Sequence, residues 1–220
     1  MATVAGKRRG RPRTAGLAAR RREEILDAAA RIFAERGYPN TDLQIVADSI
    51  GVGKGTIYRY FPSKSALFLA AVDRGMRRAS AAVDAAIEGV GDPLERIARA
   101  IRAYLAFYDG HPELVELLIQ ERAEFRDRKK PTYFEHCDAS VGPWRDLLRA
   151  LIAEGRVRKM PVERITDVAS DLLYGTMFTN FFAGRRKTYE AQAQDMLDIV
   201  LNGILSDRER ARRAASGKKP

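Results

Sequence analysis

The chain has 220 residues, of which 45% are hydrophobic, so it has enough apolar material for one large domain or two modest ones and is not wholly disordered. Its formal net charge of +10 favours a polyanionic partner, nucleic acid before an acidic membrane. No segment approaches the roughly 20 consecutive apolar residues that span a bilayer, and no apolar signal core follows the basic N-terminal stretch, so we expect a cytoplasmic protein without a membrane partner.

The N-terminal part of the chain is strongly basic. Residues 1–14 contain five basic residues and no acidic residue, and we expect residues 1–18 to form a disordered basic arm. Within this arm the sequence RGRPR resembles the AT-hook motif, which implies that Arg9 and Arg11 enter a narrow A·T-rich minor groove. General attraction to phosphates is an equal alternative, and either mode would raise the affinity for nucleic acid.

Three helices are predicted after the arm from the spacing of their apolar residues: Arg20–Arg36, Asp42–Ser49 and Lys54–Tyr60. A residue that ends or breaks a helix follows each of them, namely Gly37, Gly51 and Pro62. We therefore assign residues 19–66 to an N-terminal three-helix domain.

The rest of the chain is also predicted to be helical. A fourth helix begins after Ser63 and runs toward Ile87, and the sequence GVGDP marks a break after it. Five more helices are bounded by proline, glycine or charged loops: Pro93–Asp109, Pro112–Phe125, Thr132–Glu154, Val162–Ala183 and Tyr189–Leu205. The class is therefore all-α, with about nine helices. We assign residues 67–206 to a second helical domain and residues 207–220 to a disordered basic tail.

The segment from Thr41 to Lys64 has the pattern of a helix-turn-helix. Two short helices joined by a tight turn that contains glycine project the second helix into a major groove about 12 Å wide. Ala47 is small where the two helices cross, and Ile57 and Phe61 would hold the second helix against the first helix of the domain. The outward face then carries groups that bind phosphates and base edges: Lys54, Thr56, Tyr58, Arg59 and Tyr60.

This segment, together with the first helix before it, resembles the TetR/AcrR family of regulators: the first helix ends in FAERGY, and the strings IGV, KGTIYRYF and SK follow, so that the resemblance covers about 45 residues. It implies a dimeric regulator with an N-terminal helix-turn-helix domain and a C-terminal helical domain for effector binding and dimerisation. By the same resemblance four residues would contact phosphates: Thr41, Tyr58, Tyr60 and Lys64. Four others would lie nearest to the bases: Gln44, Lys54, Gly55 and Thr56. Two departures, Gly53 for the usual serine and Ile45 for a polar residue, leave the fold intact but remove one hydroxyl from the phosphate contacts.

Two other interpretations of this segment are weaker. The string GVGKGT looks like a phosphate-binding loop, but a Walker loop needs glycine where Asp48 stands and serine or threonine where Gly55 stands. The dinucleotide fingerprint needs glycine where Thr56 stands. A compact three-helix unit without a DNA partner is the other interpretation, and the Lys, Thr, Tyr and Arg side chains of the outward face argue against it.

The C-terminal domain resembles the family only in length and helical layout. Candidate dimer-interface residues lie on the last two predicted helices: Val168, Leu172, Met177, Phe181, Met196, Val200 and Ile204. Candidate residues of an effector pocket are aromatic: Tyr104, Phe107, Tyr108, Trp144, Tyr174 and Phe178. Each of these residues could instead be ordinary core. A dimer as such is better supported, because one short recognition helix contacts few base pairs and a two-fold partner doubles the site.

No catalytic or metal-binding arrangement is visible in the sequence. His111, His136 and Cys137 lack the spacing and the fourth ligand of a metal site, so we expect neither a metal nor a cofactor. Carboxylates alternate with arginine, as solvated ion pairs do, and we expect no enzyme activity. With Cys137 as its one cysteine, the chain cannot form an intramolecular disulfide.

The sequence therefore predicts a DNA-binding transcriptional regulator, a repressor of pseudo-palindromic operators that a small hydrophobic effector releases. An activator and a weakly specific architectural DNA-binding protein are the alternatives within DNA binding. An affinity for DNA that depends steeply on salt and falls little when the DNA sequence is scrambled would favour the architectural protein. A helical enzyme or lipid-binding protein is the alternative from another class, and turnover of a bound compound would favour it.

Overall fold

The computed structural model describes residues 12–184 and 187–216, and this part of the chain contains ten α-helices joined by loops. They are α1 (Pro12–Arg36), α2 (Leu43–Ser49), α3 (Lys54–Tyr60), α4 (Lys64–Ile87), α5 (Pro93–Gly110), α6 (Pro112–Glu124), α7 (Thr132–Ala153), α8 (Val162–Ala183), α9 (Tyr189–Ile204) and α10 (Asp207–Ala215). The described residues contain no strand, only an isolated antiparallel bridge between Val157 and Leu205. The prediction of an all-α chain is confirmed.

Helices α2 to α9 begin and end close to the predicted residues, because most of their ends carry signals that a sequence displays. Asp92, for example, caps α5 by accepting the main-chain N–H of Glu95 at 3.3 Å, and Pro93 follows at the first helical position. Thr188 caps α9 in the same way. Within the described residues, none of the helices is both long and apolar enough to cross a lipid bilayer.

The first helix is longer than predicted. It begins at Pro12 instead of Arg20, so residues 12–18, predicted as part of a disordered arm, are helical. Proline is favoured at the first position of a helix, and Leu17, Ala18 and Ala19 are among the strongest helix formers. Arg13 is the one charged residue among residues 12–18, so repulsion between like charges within this stretch does not oppose these local preferences.

The tail predicted to be disordered from residue 207 contains helix α10. The Ser206 Oγ caps it by accepting the main-chain N–H of Glu209 at 3.3 Å, and basic residues lie in its last turn, where the helix dipole favours them. The carboxylate of Glu209 is buried and lies 3.4 Å from both Arg156 and Arg213. The segment is therefore helical because its N-terminus is capped and its buried carboxylate is paired. Neither feature can be inferred from the net charge of the segment.

The fold divides within α4 into two compact units, the first of which ends at Ala71. This boundary lies later than the predicted one at residue 66, because the first turns of α4 belong to the core of the first unit. The ring of Phe68 has its centroid 5.1 Å from the rings of both Phe33 and Tyr38, and it is fully buried. This contact joins α4 to the end of α1.

The helix-turn-helix of the first unit is built on a small buried core. Val46 and Ala47 on α2 and Ile57 on α3 are fully buried. The turn between the two helices passes through Gly51 at φ 66°, a left-handed conformation that L side chains rarely adopt. The N–H of Val52 then donates to the carbonyl oxygen of Ala47 at 3.0 Å, which fixes the direction in which α3 leaves the turn.

The second unit has its core around α5, which packs against α8 and α9. Buried leucines contribute much of this core: Leu94, Leu105, Leu148, Leu151, Leu197 and Leu201. In the same unit, α4 lies close against α6 at Gly75, where a Cβ atom would collide with the side chain of Leu114. A side chain at position 75 would therefore force the buried side chain of Leu114 to shift.

Candidate nucleic-acid interface

The N-terminus of α2 carries the first polar residues of the predicted interface. Asp42 is the N-cap, and its Oδ1 accepts the main-chain N–H of Gln44 at 2.7 Å. The Gln44 side chain is exposed, as a base contact requires, and its Nε2 donates to Oδ1 of Asp48 at 2.6 Å. Gln44 therefore lies between two carboxylates.

The N-terminus of α3 meets that of α2 at one ion pair. Lys54 follows the N-cap Gly53, and its Nζ donates to Oδ1 of Asp42 at 2.7 Å. The N–H of Gln44, and next to it the Lys54 ammonium, lower the pKa of Asp42, and the hydrogen bond to Asp42 raises the pKa of Lys54. Gly55 is exposed with open space beyond its Cα atom, so the main chain there can approach a ligand closely.

The outward side of α3 carries the other predicted contacts. Tyr58 is 48% exposed, and Arg59 is exposed with its guanidinium carbon 5.3 Å from the centroid of the Tyr60 ring. Thr56 and Tyr60 are half-buried at the edges of this face. Since Ile57 anchors the opposite side of α3 in the core, the Tyr58 phenol and the Arg59 guanidinium lie on the exposed side of the helix. Such groups suit both phosphates and base edges.

Lys64 begins α4, the next helix. Ser63 caps this helix by accepting the N–H of Ala66 at 3.0 Å, as predicted. The Nζ of Lys64 donates to the carbonyl oxygen of Pro39 at 3.1 Å and lies 4.6 Å from the centroid of the Tyr38 ring. An ammonium group has three N–H donors, so Lys64 can bind a phosphate while these contacts hold it in place.

The prediction of a phosphate contact for Thr41 is wrong. Thr41 is 1% exposed, and its hydroxyl donates to the carbonyl oxygen of Gly37 at 2.8 Å. The side chain is therefore used inside the fold, where it satisfies a carbonyl group that the end of α1 leaves without a helical partner.

The interface also contains acidic groups that sequence reasoning did not assign to it. Asp42 was expected only to begin the second helix, yet its carboxylate binds Lys54 on α3. The available signal was an acidic N-cap next to a lysine that opens the following helix. Arg9 and Arg11, the residues predicted to enter the minor groove, lie outside the described residues.

Most of the aromatic residues predicted to line a pocket contact one another in the second unit. The hydroxyl oxygens of Tyr104 and Tyr133 are 2.9 Å apart, and the ring centroids of Tyr104 and Tyr108 are 4.7 Å apart. The Tyr174 ring lies 4.9 Å from that of Tyr133 and 4.7 Å from that of Phe178. We call these five residues the aromatic cluster.

The hydroxyl groups of the aromatic cluster are neutral hydrogen-bonding groups in an apolar interior. Burial raises the pKa of both Tyr104 and Tyr133 far above the ordinary value. The other two predicted pocket residues differ from the cluster: Phe107 stacks on His111 with ring centroids 4.1 Å apart, and Trp144 is half-buried on α7.

The predicted dimer residues fall into two groups. Val168 and Leu172 on α8 are 57% and 37% exposed, so they are free to bury apolar surface against a second chain. Met177 and Met196 are 2% and 7% exposed, and the prediction is wrong for both because they fill the core of their own chain. Half-buried positions are occupied by Phe181, Val200 and Ile204.

The histidines and the cysteine have structural partners. His136 lies with Nε2 2.9 Å from Oδ1 of Asp73, which connects α7 to α4. His111 lies with Nε2 3.3 Å from the guanidinium of Arg78, also on α4. Burial raises the pKa of the Cys137 thiol. In the ranges that the structure describes, no group of three or more His, Cys, Asp or Glu residues could hold a metal ion.

Comparison with known proteins adds evidence on the family. Residues 25–71 match the family model described as bacterial regulatory proteins, tetR family. The transcriptional repressor KstR2 of Mycobacterium tuberculosis is 27% identical over 203 residues, which cover 89% of this chain and 98% of the repressor. The transcriptional activator FasR of Mycolicibacterium smegmatis is 30% identical over 122 residues, which cover 52% of this chain and 56% of the activator.

Solved structures share the fold. The ketosteroid transcriptional regulator KstR2 of Mycobacterium tuberculosis has a TM-score of 0.61 at 24% identity, over 93% of this chain and 100% of that structure. The fatty acid degradation regulator FadR of Bacillus halodurans has a TM-score of 0.70 at 16% identity, over 89% of this chain and 97% of that structure. The segment that matches the family model contains α2, α3 and the ion pair between them. The chain is a DNA-binding transcriptional regulator of the TetR family.

Proposed function

We propose that the protein is a homodimeric repressor that binds a pseudo-palindromic operator and leaves it when a small, largely apolar effector binds to the second unit. The observation that carries this proposal is the outward face of α3, where Tyr58 and Arg59 are exposed beside an accessible main chain at Gly55. A helix of this kind places its N-terminal residues against base edges and its flanking cations against phosphates.

The dimer is supported by a row of apolar and small residues on the exposed side of α8. Its members follow one another at intervals of four and three residues, which keeps them on one side of a helix: Val168, Leu172, Gly175, Thr179 and Phe182. We call this row the α8 seam. Phe182 and, on α9, Ile199 are each 70% exposed, so a second chain would remove a large apolar area from water.

The experiment that tests the DNA assignment compares the duplex from the protein's own upstream intergenic region with a scrambled duplex of equal composition, at near-physiological salt. We expect the wild type to prefer the native duplex and the Tyr58→Ala, Lys64→Ala variant to lose that preference. Lys187→Ala, which removes a positive charge from an exposed site in the second unit, is the matched control. Equal binding of the wild type to both duplexes would contradict the proposal and favour an architectural protein.

The effector is proposed to contact the aromatic cluster, because its rings offer flat apolar surfaces and its tyrosine hydroxyls can orient a polar group. Relatives indicate which compounds to test first, since KstR2 is named for ketosteroids and FadR for fatty acid degradation. Trp144 is the single tryptophan of the chain and lies on α7, the helix that also carries Tyr133 of the aromatic cluster, so its fluorescence is the signal to follow during a titration. A ketosteroid or a fatty acid that changes this fluorescence should also release the protein from its duplex, and a compound that binds without release would contradict the proposed mechanism.

An activator is the second candidate, because FasR is named as a transcriptional activator. Transcription in vitro from the native promoter separates the two, since a repressor lowers the transcript yield as it binds and an activator raises it.

A further inference from the structure

An acidic side chain lies where the proposed interface should be positive. The Asp42 carboxylate accepts two hydrogen bonds at Oδ1, one from the main-chain N–H of Gln44 and one from Nζ of Lys54, each 2.7 Å long. Lys54 is the first residue of the proposed recognition helix. Its positive charge is therefore already paired with a carboxylate at the protein surface before DNA binds.

The two members of this pair differ in how firmly they are held. The side chains of Lys54 and Asp42 are 37% and 59% exposed, so water and DNA can reach both. The lysine stem is flexible, whereas the N-cap bond to Gln44 holds the carboxylate at the start of α2. When Lys54 moves toward DNA, the Asp42 carboxylate keeps its hydrogen bond from the Gln44 N–H but loses the one from Lys54, so it remains at the surface with acceptor capacity to fill.

Such a pair distinguishes phosphates from bases by its hydrogen-bonding groups. A phosphate offers only acceptors, so it can bind Lys54 but is repelled by Asp42 and cannot satisfy it. A base edge in the major groove offers acceptors such as guanine N7 and O6 and also donors such as the amino groups of cytosine and adenine. Only bases can satisfy the lysine and the carboxylate at the same time.

We infer that Asp42 is a specificity-determining residue of the DNA interface. By pairing with Lys54 it weakens the binding of this lysine to phosphates, and the lysine leaves the pair only where base edges can bind both side chains. This inference rests on the proposed function, because it requires α3 to be the recognition helix. The carboxylate of Asp42 is charged at physiological pH, since the Gln44 N–H first and Lys54 next lower its pKa from an ordinary value that is already acidic.

The test is the variant Asp42→Asn, which removes the charge but retains an N-cap residue of equal quality. The probe is a fluorescent pool of random-sequence duplexes, titrated between about 50 and 200 mM salt. Since each added phosphate contact contributes about 0.9 to the slope of log K against log salt, we expect the slope to steepen by about 1 and the affinity at low salt to rise about 3- to 10-fold. The affinity ratio between a duplex selected by the wild type and the pool should fall about 5-fold or more.

Asp48→Asn is the matched control. It removes the same charge from the same helix, but Asp48 binds the amide of Gln44 instead of a cation, so Lys54 stays paired. Lys54→Gln supplies the second control, because Asp42→Asn should have little effect in a chain without the lysine ammonium. Equal effects of Asp42→Asn and Asp48→Asn, or an undiminished effect of Asp42→Asn in the Lys54→Gln background, would overturn the inference.

Failure of the proposed function gives a different result. A wild type that binds the random pool without preferring its upstream duplex contradicts the proposed repressor, while the comparison of Asp42→Asn with its two controls still decides whether the pair restrains Lys54.

Discussion

The hydroxyl of Thr41 donates a hydrogen bond to the main-chain carbonyl oxygen of Gly37, 2.8 Å away, and so joins the segment that enters α2 to the end of α1. Asn40 donates to the carbonyl oxygen of Arg36 at 3.2 Å beside it. Together these bonds satisfy carbonyl groups at the C-terminus of α1 and fix the distance from α1 to the helix-turn-helix. Thr41, which the sequence suggested as a DNA contact, therefore holds the start of α2 in place relative to the end of α1.

Replacing Thr41 with valine tests this role. The substitution keeps the shape but removes the hydroxyl, so we expect the free energy of unfolding to fall by about 1 to 2 kcal/mol, measured by urea denaturation. The salt slope of DNA binding should stay the same, and Thr41→Ser should retain most of the stability. A slope reduced by about 1, as for a lost phosphate contact, would contradict the prediction.

The stability of the folded protein should depend on the pairing of the buried Glu209 carboxylate with Arg156. Arg156→Met leaves Glu209, which is 2% exposed, with Arg213 and the more exposed Arg212 as its cations. Breaking a buried pair from one side is costly, so we expect a loss of about 3 kcal/mol in the free energy of unfolding. Hydrogen exchange should increase throughout α10. Adding Glu209→Gln to Arg156→Met should recover part of the loss, and strictly additive losses would contradict the pairing.

Asp92 should make the stability sensitive to acid. Burial alone would raise its pKa, but the hydrogen bond and charge of Arg156 and the N–H of Glu95 outweigh burial and hold the pKa below the ordinary 3.8. A carboxyl group with a lowered pKa in the folded state contributes stability that is complete above its unfolded pKa and is lost as the pH falls through the folded value.

Urea denaturation between pH 7 and about pH 3 checks this sign. We expect Asp92→Asn to be less stable than the wild type at neutral pH and the difference to shrink below about pH 4. Asp84→Asn, at an exposed position of α4, is the control. A difference that stays constant over the whole range would show that the charge of Asp92 contributes nothing.

The α8 seam should be sensitive to charge. In a two-fold dimer Leu172→Asp introduces two carboxylates at one apolar interface, and we expect the dimer to dissociate about 100-fold more readily, measured by sedimentation velocity. Phe134→Asp, at a position of α7 that is 39% exposed, is the matched control and should leave the dimer intact. Loss of the dimer in Phe134→Asp alone would move the interface to α7.

The sequence predicted helices α2 to α9 well because most of their ends are marked by local signals, whereas the start of α1 and the whole of α10 were predicted as disordered. Asp92 with Pro93, and Ser63 before α4, are signals that operate within a few residues, and the buried side of α3 follows from the spacing of Ile57 and Phe61. Contacts between residues far apart in the chain could not be predicted in this way. Glu209 and Arg156 are separated by 53 positions, and no local pattern connects them.

The same limit explains the errors at the candidate sites. Met177 and Met196 lie on helices with apolar residues on two sides, and only the position of α5 decides which side faces the core. The sequence does not distinguish Thr41 from the exposed polar residues near it, because its buried state depends on the hydrogen bond to the Gly37 carbonyl oxygen. The carboxylate of Asp42 was hidden for a related reason, because its partner is on the next helix.

The close approach at Gly75 constrains how α4 can move within the second unit. A rotation of α4 by one residue, about 100°, would bring the side chain of Arg74 or Met76 to the place where Leu114 now meets only a hydrogen atom. Rotation about the helix axis is thereby blocked, while tilting and sliding along the axis keep glycine opposite leucine over short distances. We therefore expect α4 to move in this unit by tilting or sliding more readily than by turning about its axis, and a larger residue at position 75 to hinder these motions by its contact with Leu114.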